Sequence, residues 1–403
     1  MEKASRQALE DYFKGRFGEC RLVEFSPLGK GVHGMGFLAS LETPEGRKSY
    51  VLKSIAGEGL GHDYPSDRAG MLLLALDNYG KLPNHIKALD VLSLQGDGSL
   101  RSIGGGREYY LLMEQARGTS YFVDLEGFSK KTALDEPDKK KISLMAEYLK
   151  EIHSRKKDSK TLYLRKLRDI IGHGECLMGV FDTYPEGVLG LDEMAEIEKS
   201  CIDWRARLKS KYKRLSEIHG DFHPGNIWFE EEVAGAPPNI AGGRAPNIAG
   251  GRAPNIAGGR APNIAGGRSP NIAGARSPFI LLDRSRGEWG EPADDLTALA
   301  INYIFFSIKH FNELGGAYLE GFKLFFERYL KLTGDDEALE VSAPFFAFRG
   351  AVVANPVFYP ELTNDQRRLI LGFVRATLAD RRFSPERVGD YIEAGKGTTK
   401  TSP

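Results

Sequence analysis

Asp221 stands five residues ahead of Asn226 in the run His219-Gly220-Asp221-Phe222-His223-Pro224-Gly225-Asn226. An acid and an amide at that spacing on one loop supply what phosphoryl transfer uses. The carboxylate orients a hydroxyl and takes its proton, and the amide oxygen holds Mg²⁺ beside the phosphates. Downstream, Phe279-Ile280-Leu281-Leu282 reads as a short apolar strand that delivers Asp283 at its end. A second carboxylate there could bind the same metal. His219 fits a packing and hydrogen-bonding role, and His223 a role bracing the loop.

The distance between the two acids is inflated by a repeat. From Pro238 to Ser277 an octad, Pro-Asn-Ile-Ala-Gly-Gly-Arg-Ala with small variations, recurs five times. Each copy offers one Ile against Pro, Asn and usually two Gly, too little apolar surface to offset the entropy of ordering it, so a flexible loop is expected. Of the 62 positions from Asp221 to Asp283, the octads occupy 40 and leave 22, enough for a strand, a turn and a strand. Ile227-Trp228-Phe229 and Phe279-Ile280-Leu281-Leu282 then read as the two arms of one hairpin, with the repeat at its tip.

Ahead of this loop, Val23 to Leu28 leads into a glycine-rich turn with Gly29, Gly31, Gly34 and Gly36, followed by a returning strand. Such a turn lets backbone N–H groups approach phosphate oxygens, although glycines also make ordinary hairpins. Next comes Ser49 to Ile55, a candidate strand with Lys53 inside an apolar stretch. The order of motifs favours phosphate contact for Lys53 over a snorkelling surface role. Ser66 is expected to cap a helix from Asp67 through Tyr79 whose Met71, Leu72, Leu74, Ala75 and Asn78 pack on the sheet. Asp67 either pairs with Lys53 or favours the helix N-terminus. Glu108 to Glu114 reads as a further strand, and Gln115 to Gly118 as a link.

Beyond the link, Ile142, Met145, Leu149 and Ile152 mark an amphipathic helix from Lys141 to His153, with His153 structural. A longer stripe runs Met194, Ile197, Cys201, Trp204, Leu208, Tyr212, Leu215. From Leu296 to Leu332 the chain is helical in pattern and rich in rings, divided at Gly315-Gly316; most of the rings build a core, and a few are left as candidates to line an acceptor pocket. Asp295 is expected to cap the helix that opens there and to tie it to the Asp221 loop. Arg284 and Arg286 are candidate phosphate contacts.

With these pieces in this order, the chain resembles the aminoglycoside phosphotransferase and choline kinase-like family of small-molecule kinases. That family's H-x-D-x-x-x-x-N loop and later strand ending in Asp are matched by His219, Asp221, Asn226 and Asp283. Its glycine, proline and Asp-Leu pair are matched by Gly290, Pro292, Asp295 and Leu296. The resemblance implies an α+β, two-lobed protein-kinase-like fold: a small antiparallel sheet lobe over 1–115 and a mostly helical lobe over 116–395. The helical lobe is interrupted by the octapeptide insertion at 233–278, and 396–403 forms a disordered tail. It implies ATP and Mg²⁺, with Asp221 as base and Asn226 and Asp283 on the metal. Gly29, Gly31, Gly34 and Lys53 would lie on the nucleotide, and backbone groups of Glu114 to Ala116 on adenine. Two departures stand out. The helix after Lys53 carries no Glu, and the residues from Asp283 do not read Asp-Phe-Gly, which weighs against a protein kinase.

Composition bounds the rest. With 403 residues, 41% of them hydrophobic, and 55 basic against 55 acidic side chains, the chain suits a globular protein with no overall field for nucleic acid. Setting aside the five repeat arginines leaves a mildly acidic body, which could suit a cationic acceptor. Cys20, Cys176 and Cys201 form no C-x-x-C pair, and no signal peptide or membrane span is read, so a soluble cytoplasmic protein is expected. The expected partner is a small-molecule hydroxyl substrate. A nucleotide-binding, pseudokinase-like regulator without transferase activity is the alternative.

Overall fold

The computed structural model describes residues 5–31, 34–57, 59–79, 81, 86–230, 279–284 and 286–396. The octad repeat, the 396–403 tail beyond Lys396 and the tip of the glycine turn lie outside the described residues. The chain divides into two compact units, Met1–Glu114 and Gln115–Pro403. Both mix helix with small antiparallel sheets.

In the first unit, α1 (Arg6–Phe17) precedes β1 (Arg21–Gly31), β2 (Gly34–Thr43) and β3 (Gly46–Ile55), which form one antiparallel sheet in the order β1-β2-β3. Ser5 caps α1 by accepting from the Ala8 N–H at 3.0 Å. Leu9 and Phe13 of α1 pack with Leu22, Ala39 and Leu41 of the sheet in a small core. Gly31 faces Gly34 across the β1–β2 turn, and β2 pairs Gly36 with Lys53 of β3. Gly34 is required here. A Cβ on it would lie 1.8 Å from the Ser54 carbonyl oxygen of β3. Gly34→Ala is therefore expected to destabilise this unit by about 1–3 kcal/mol, read as a lower chemical-denaturation midpoint.

After β3 come α2 (Pro65–Tyr79) and a short hairpin, β4 (Leu92–Leu94) with β5 (Leu100–Ser102). Three expectations need correcting. Proline takes the first helical position of α2, where its missing N–H costs nothing, so Ser66 lies inside the first turn rather than capping it. Asp67 reaches back to accept from the Tyr64 N–H at 2.7 Å, an N-terminal role. No residue of α2 is fully buried, and Met71 and Leu74 are exposed, so its apolar face is not covered by a sheet. The segment from Glu108 to Glu114 forms no strand. Its β-rich composition is not matched by a ladder partner, and Tyr109 to Met113 are all exposed.

The second unit starts with β6 (Thr119–Ser120), α3 (Tyr121–Phe128), α4 (Glu136–Ser154), α5 (Lys160–Gly172), α6 (Leu177–Phe181), α7 (Leu191–Leu208) and β7 (Ser216–Glu217). Then follow β8 (Ile227–Phe229), β9 (Phe279–Leu281), β10 (Trp289–Gly290), α8 (Pro292–Phe311), α9 (Gly316–Thr333), α10 (Ala338–Val341), α11 (Ala343–Val353), α12 (Asn364–Ala379) and α13 (Val388–Lys396). As expected, Ile142, Met145, Leu149 and Ile152 of α4 are buried. Every residue of α8 from Pro292 to Ile308 is buried, and α3, α9, α10, α11 and α12 pack on it. The rings of α8 and α9, from Tyr303 to Tyr329, fill this core, with Phe311 left exposed.

The stripe from Met194 to Leu215 does not stay α-helical. The chain tightens into a 3₁₀ segment over Lys209–Arg214 with non-helical backbone at Lys211. The kink lets Arg214 turn inward, where it meets Glu291 at 2.7 Å and Asp335 at 2.6 Å. A buried guanidinium requires such partners, and they override the local helical pattern. Among the described residues, no helix is long and apolar enough to cross a membrane.

Candidate functional site

The Asp221 loop is built between β7 and β8. Ile227, Trp228 and Phe229 pair with Leu281, Ile280 and Phe279, so the two arms read from sequence do form one antiparallel hairpin. The Leu282 N–H donates to the Asn226 carbonyl at 2.9 Å, which extends the pairing by one step. Asn226 and Asp283 therefore sit at the same end of the β8–β9 ladder, one residue out of register. Asp283 is exposed and its backbone is left-handed, with φ 53°. Such a conformation costs an L-residue about 1 kcal/mol, and strain of this kind gathers at functional sites.

The loop itself is fixed by its own side chains. The His219 Nδ1 accepts from the Asp221 N–H at 3.2 Å, and the His223 Nδ1 accepts from the Gly225 N–H at 3.1 Å. Both imidazoles thus hold backbone, as their expected roles require. Phe222 is fully buried and stacks on Tyr148 at 6.1 Å, which anchors the middle of the loop in the core. Gly220 has φ +84° and lies against Arg286. Gly225 passes so close to Phe122 that a Cβ would sit 2.6 Å from its ring. The Asn226 Nδ2 donates to the Asp221 carbonyl at 3.1 Å, which turns Oδ1 the other way.

Asp295 joins this loop to α8. Its two oxygens accept from the His219 N–H at 2.8 Å and the Gly220 N–H at 2.7 Å, while His153 reaches Oδ2 at 3.2 Å. The expected tie is present, but the capping is not: Glu291 occupies the cap position, and Asp295 lies within the first turn. The reason is that its carboxylate is taken by loop amides, leaving none for its own helix.

Asp221 is held by a residue that sequence reasoning missed. Arg349 of α11 donates to Asp221 Oδ1, to the Gly220 carbonyl at 2.8 Å and to Asp294 Oδ1 at 2.7 Å. Lys166 of α5 meets the other Asp294 oxygen at 2.6 Å. The signal available was a lone arginine in the apolar run Phe345-Phe346-Ala347-Phe348-Arg349, because a buried cation implies a buried anion. Nothing in the sequence says which one. Burial alone would raise the Asp221 carboxyl, but Arg349, His223 and Arg286 hold it far below the usual carboxylate range. For His223, burial lowers the imidazole more than Asp221 raises it, and its Nε2 stands 3.9 Å from Asp221 Oδ2.

The two arginines after Asp283 have local partners. Arg284 donates to the Ile218 carbonyl at 2.8 Å and to Glu217 at 3.0 Å, so its head group is committed to bracing β7 and β10. Arg286 lies over the Phe348 ring at 5.0 Å and meets Cys176 Sγ at 3.5 Å. Rings flank the site, with Phe122 at 5.7 Å from His223 and from Phe306, and Phe305 at 4.7 Å from Tyr359. Two cavities are found, one in each unit. One of about 630 Å³ borders α1 and the β4–β5 hairpin, and one of about 480 Å³ lies by Trp204 and Arg207. Neither is lined by the loop residues, so the case for a site rests on the chemistry of the loop and not on cavity size.

The remaining sequence candidates belong to the first unit and to the stretch at which the two units divide. Gly29, Gly31 and Gly34 form the β1–β2 end of the first unit's sheet, and Lys53 is exposed on β3. Glu114 and Ala116 fall on either side of the division between the units, in chain without a ladder. Among the described residues no cluster of three or more His, Cys, Asp or Glu side chains is placed to hold a metal. The pair Asn226 and Asp283 instead offers two hard oxygen donors, a set that fits Mg²⁺, which takes few protein ligands and keeps several waters.

No protein-family model matches the chain, and no curated protein matches it. Solved structures with which it shares limited likeness include a Plasmodium vivax ethanolamine kinase, at 12% identity and TM-score 0.33, covering 93% of this chain and 81% of that one. A glucosamine kinase gives 11% identity and TM-score 0.33 over 93% and 90%. Aminoglycoside 2'-phosphotransferase-IIIa, in its GDP complex, gives 11% and 0.28 over 97% and 96%. These structures are small-molecule kinases. Scores of this size leave fold and activity to be argued from the residues of the chain itself.

Proposed function

We propose that the protein is an ATP- and Mg²⁺-dependent phosphotransferase acting on the hydroxyl of a small molecule. The observation that carries this is Asp221, held by Arg349 in a loop whose Asn226 lies at the same end of the β8–β9 ladder as Asp283. Asp221 orients the acceptor hydroxyl through Oδ2. As the hydroxyl oxygen bonds to the γ-phosphorus, the bond to the β–γ bridging oxygen breaks, ADP departs, and the hydroxyl proton passes to Asp221 late. A strongly ionised carboxylate is a weak base, which suits a loose transition state in which positioning outweighs proton abstraction.

Asn226 Oδ1 and the Asp283 carboxylate would hold Mg²⁺, which when bound neutralises charge on the phosphates. Gly29, Gly31, Gly34 and Lys53 of the first unit are assigned to the nucleotide's phosphates, and the backbone of Glu114 to Ala116, where the units divide, to adenine. Arg286, paired with no carboxylate among the described residues, adds positive charge beside Asp221.

The test is a screen of small hydroxyl compounds, amino alcohols, amino sugars and aminoglycosides among them, for Mg²⁺-dependent consumption of ATP, run beside Asp221→Ala. Consumption that depends on Asp221, and that an added acceptor raises above the slow turnover with water, is expected. Nucleotide binding with no transfer to any acceptor would instead favour a regulator without transferase activity.

A further inference from the structure

We infer that Arg349 is a positioning residue for Asp221: it selects which carboxylate oxygen faces the acceptor and locks the loop to α8 and α11. The inference rests on the phosphotransferase assignment but concerns a residue outside the loop and the hairpin. One guanidinium contacts three acceptors on two separate elements, Asp221 Oδ1 and the Gly220 carbonyl on the loop and Asp294 Oδ1 on α8. A planar fork of donors can do this, whereas a lysine ammonium on a flexible stem cannot hold the same three directions at once. Because the clamp takes Oδ1, Oδ2 is left for the reacting hydroxyl.

The clamp is itself braced. Arg349 is 5% exposed, and Lys166 and Asp294 are similarly buried. Lys166, Asp294, Arg349 and Asp221 alternate in sign along a line from α5 through α8 and α11 to the loop, so the added charge sums to zero. A buried ion pair is poor at stabilising a fold compared with apolar residues of the same volume. An apolar side chain among Phe345, Phe346, Ala347 and Phe348 would fill the space on α11 at lower desolvation cost. Fixing the geometry of Asp221 is what such residues cannot do. Arg286 and His223 also face Asp221, with the Tyr359 hydroxyl near it, and the first two are placed by other contacts, Arg286 on Phe348 and His223 on the Gly225 amide.

The experiment uses Arg349→Met and Arg349→Lys in the full chain, with two readouts. The first is turnover of MgATP with water as the acceptor. Positioning predicts kcat lower by about 100-fold in Arg349→Met, the scale of a misplaced reacting group. KM for MgATP should stay within threefold of wild type, on the order of a minor change in binding. Millimolar guanidinium should restore part of kcat to Arg349→Met and none to Asp221→Asn. The second is amide hydrogen exchange without nucleotide, which should quicken from His219 to His223 in both variants and stay unchanged in α4 and α9.

Wild-type kcat in both Arg349 variants, with Asp221→Asn inactive, would overturn the inference and leave the phosphotransferase assignment standing. Exchange that quickens throughout the second unit, with no rescue, would reduce Arg349 to a structural ion pair and also overturn it. If wild type and Asp221→Asn turn over MgATP alike, the assignment itself fails; exchange of the loop then decides alone whether Arg349 positions it.

Discussion

Asp221→Asn is expected to lower kcat for phosphoryl transfer by about 10²–10⁴-fold, the usual contribution of a positioned acid–base group. Stability should fall far less than activity. The amide oxygen of Asn can still accept from Arg349, but Asp294 then faces both Arg349 and Lys166 without the second carboxylate, a loss of about 1–3 kcal/mol. A carboxylate that served only the loop's structure would give the opposite pattern, with a lower melting temperature and retained turnover. Steady-state kinetics beside thermal unfolding separates the two. Asp221→Glu is a useful companion, since it keeps the charge but moves the oxygens by about one methylene; kcat should fall with KM for MgATP nearly unchanged.

Asp295→Ala is expected to destabilise the second unit by about 3–5 kcal/mol, because it strands two buried N–H groups and removes a buried charge from His153. For a large domain this corresponds to a fall in Tm of about 10 °C. Activity should be lost as well, since His219 and Gly220 set the direction in which Asp221 leaves the backbone. Asp295→Asn should lie between, as its amide nitrogen would face one of the two N–H donors. Burial alone would raise the Asp295 carboxyl, but the bond from His153, together with His219, brings it below its usual value. A depressed carboxylate contributes stability above its unfolded-state pKa of about 3.9 and loses it as pH falls through the folded value. Wild type and Asp295→Ala should therefore converge in Tm in strong acid and differ most near neutrality.

Local elements were legible where the pattern was strong and the partners near in sequence. The β1–β2–β3 ladder, α4 with its buried Ile142 and Met145, and the β8–β9 hairpin across the repeat all follow from periodicity and turn chemistry. Misreadings occurred where a distant partner decides. Glu108 to Glu114 has a strand's composition, yet a strand exists only with a neighbour to accept its hydrogen bonds. The α7 stripe breaks at Lys211 because Arg214 must turn toward Glu291 and Asp335, more than 70 and 120 positions away. Asp295 was recognised as tying helix to loop, but whether its oxygens go to its own helix or to His219 and Gly220 depends on where α8 lies.

The sequence by itself determined the chemistry on offer: an acid and an amide five residues apart, a second acid at a strand end, and a repeat that accounts for 40 of the 62 positions between the acids. Covalent spacing and hairpin pairing suffice for that, because Asn226 and Leu282 are neighbours in one ladder. Only the tertiary structure decided how Asp221 is held. Arg349 lies 128 positions further on and Lys166 lies 55 before. A buried arginine tells the reader that an anion must be near, but which anion it finds is settled by helix packing, and spacing along the chain carries no record of it.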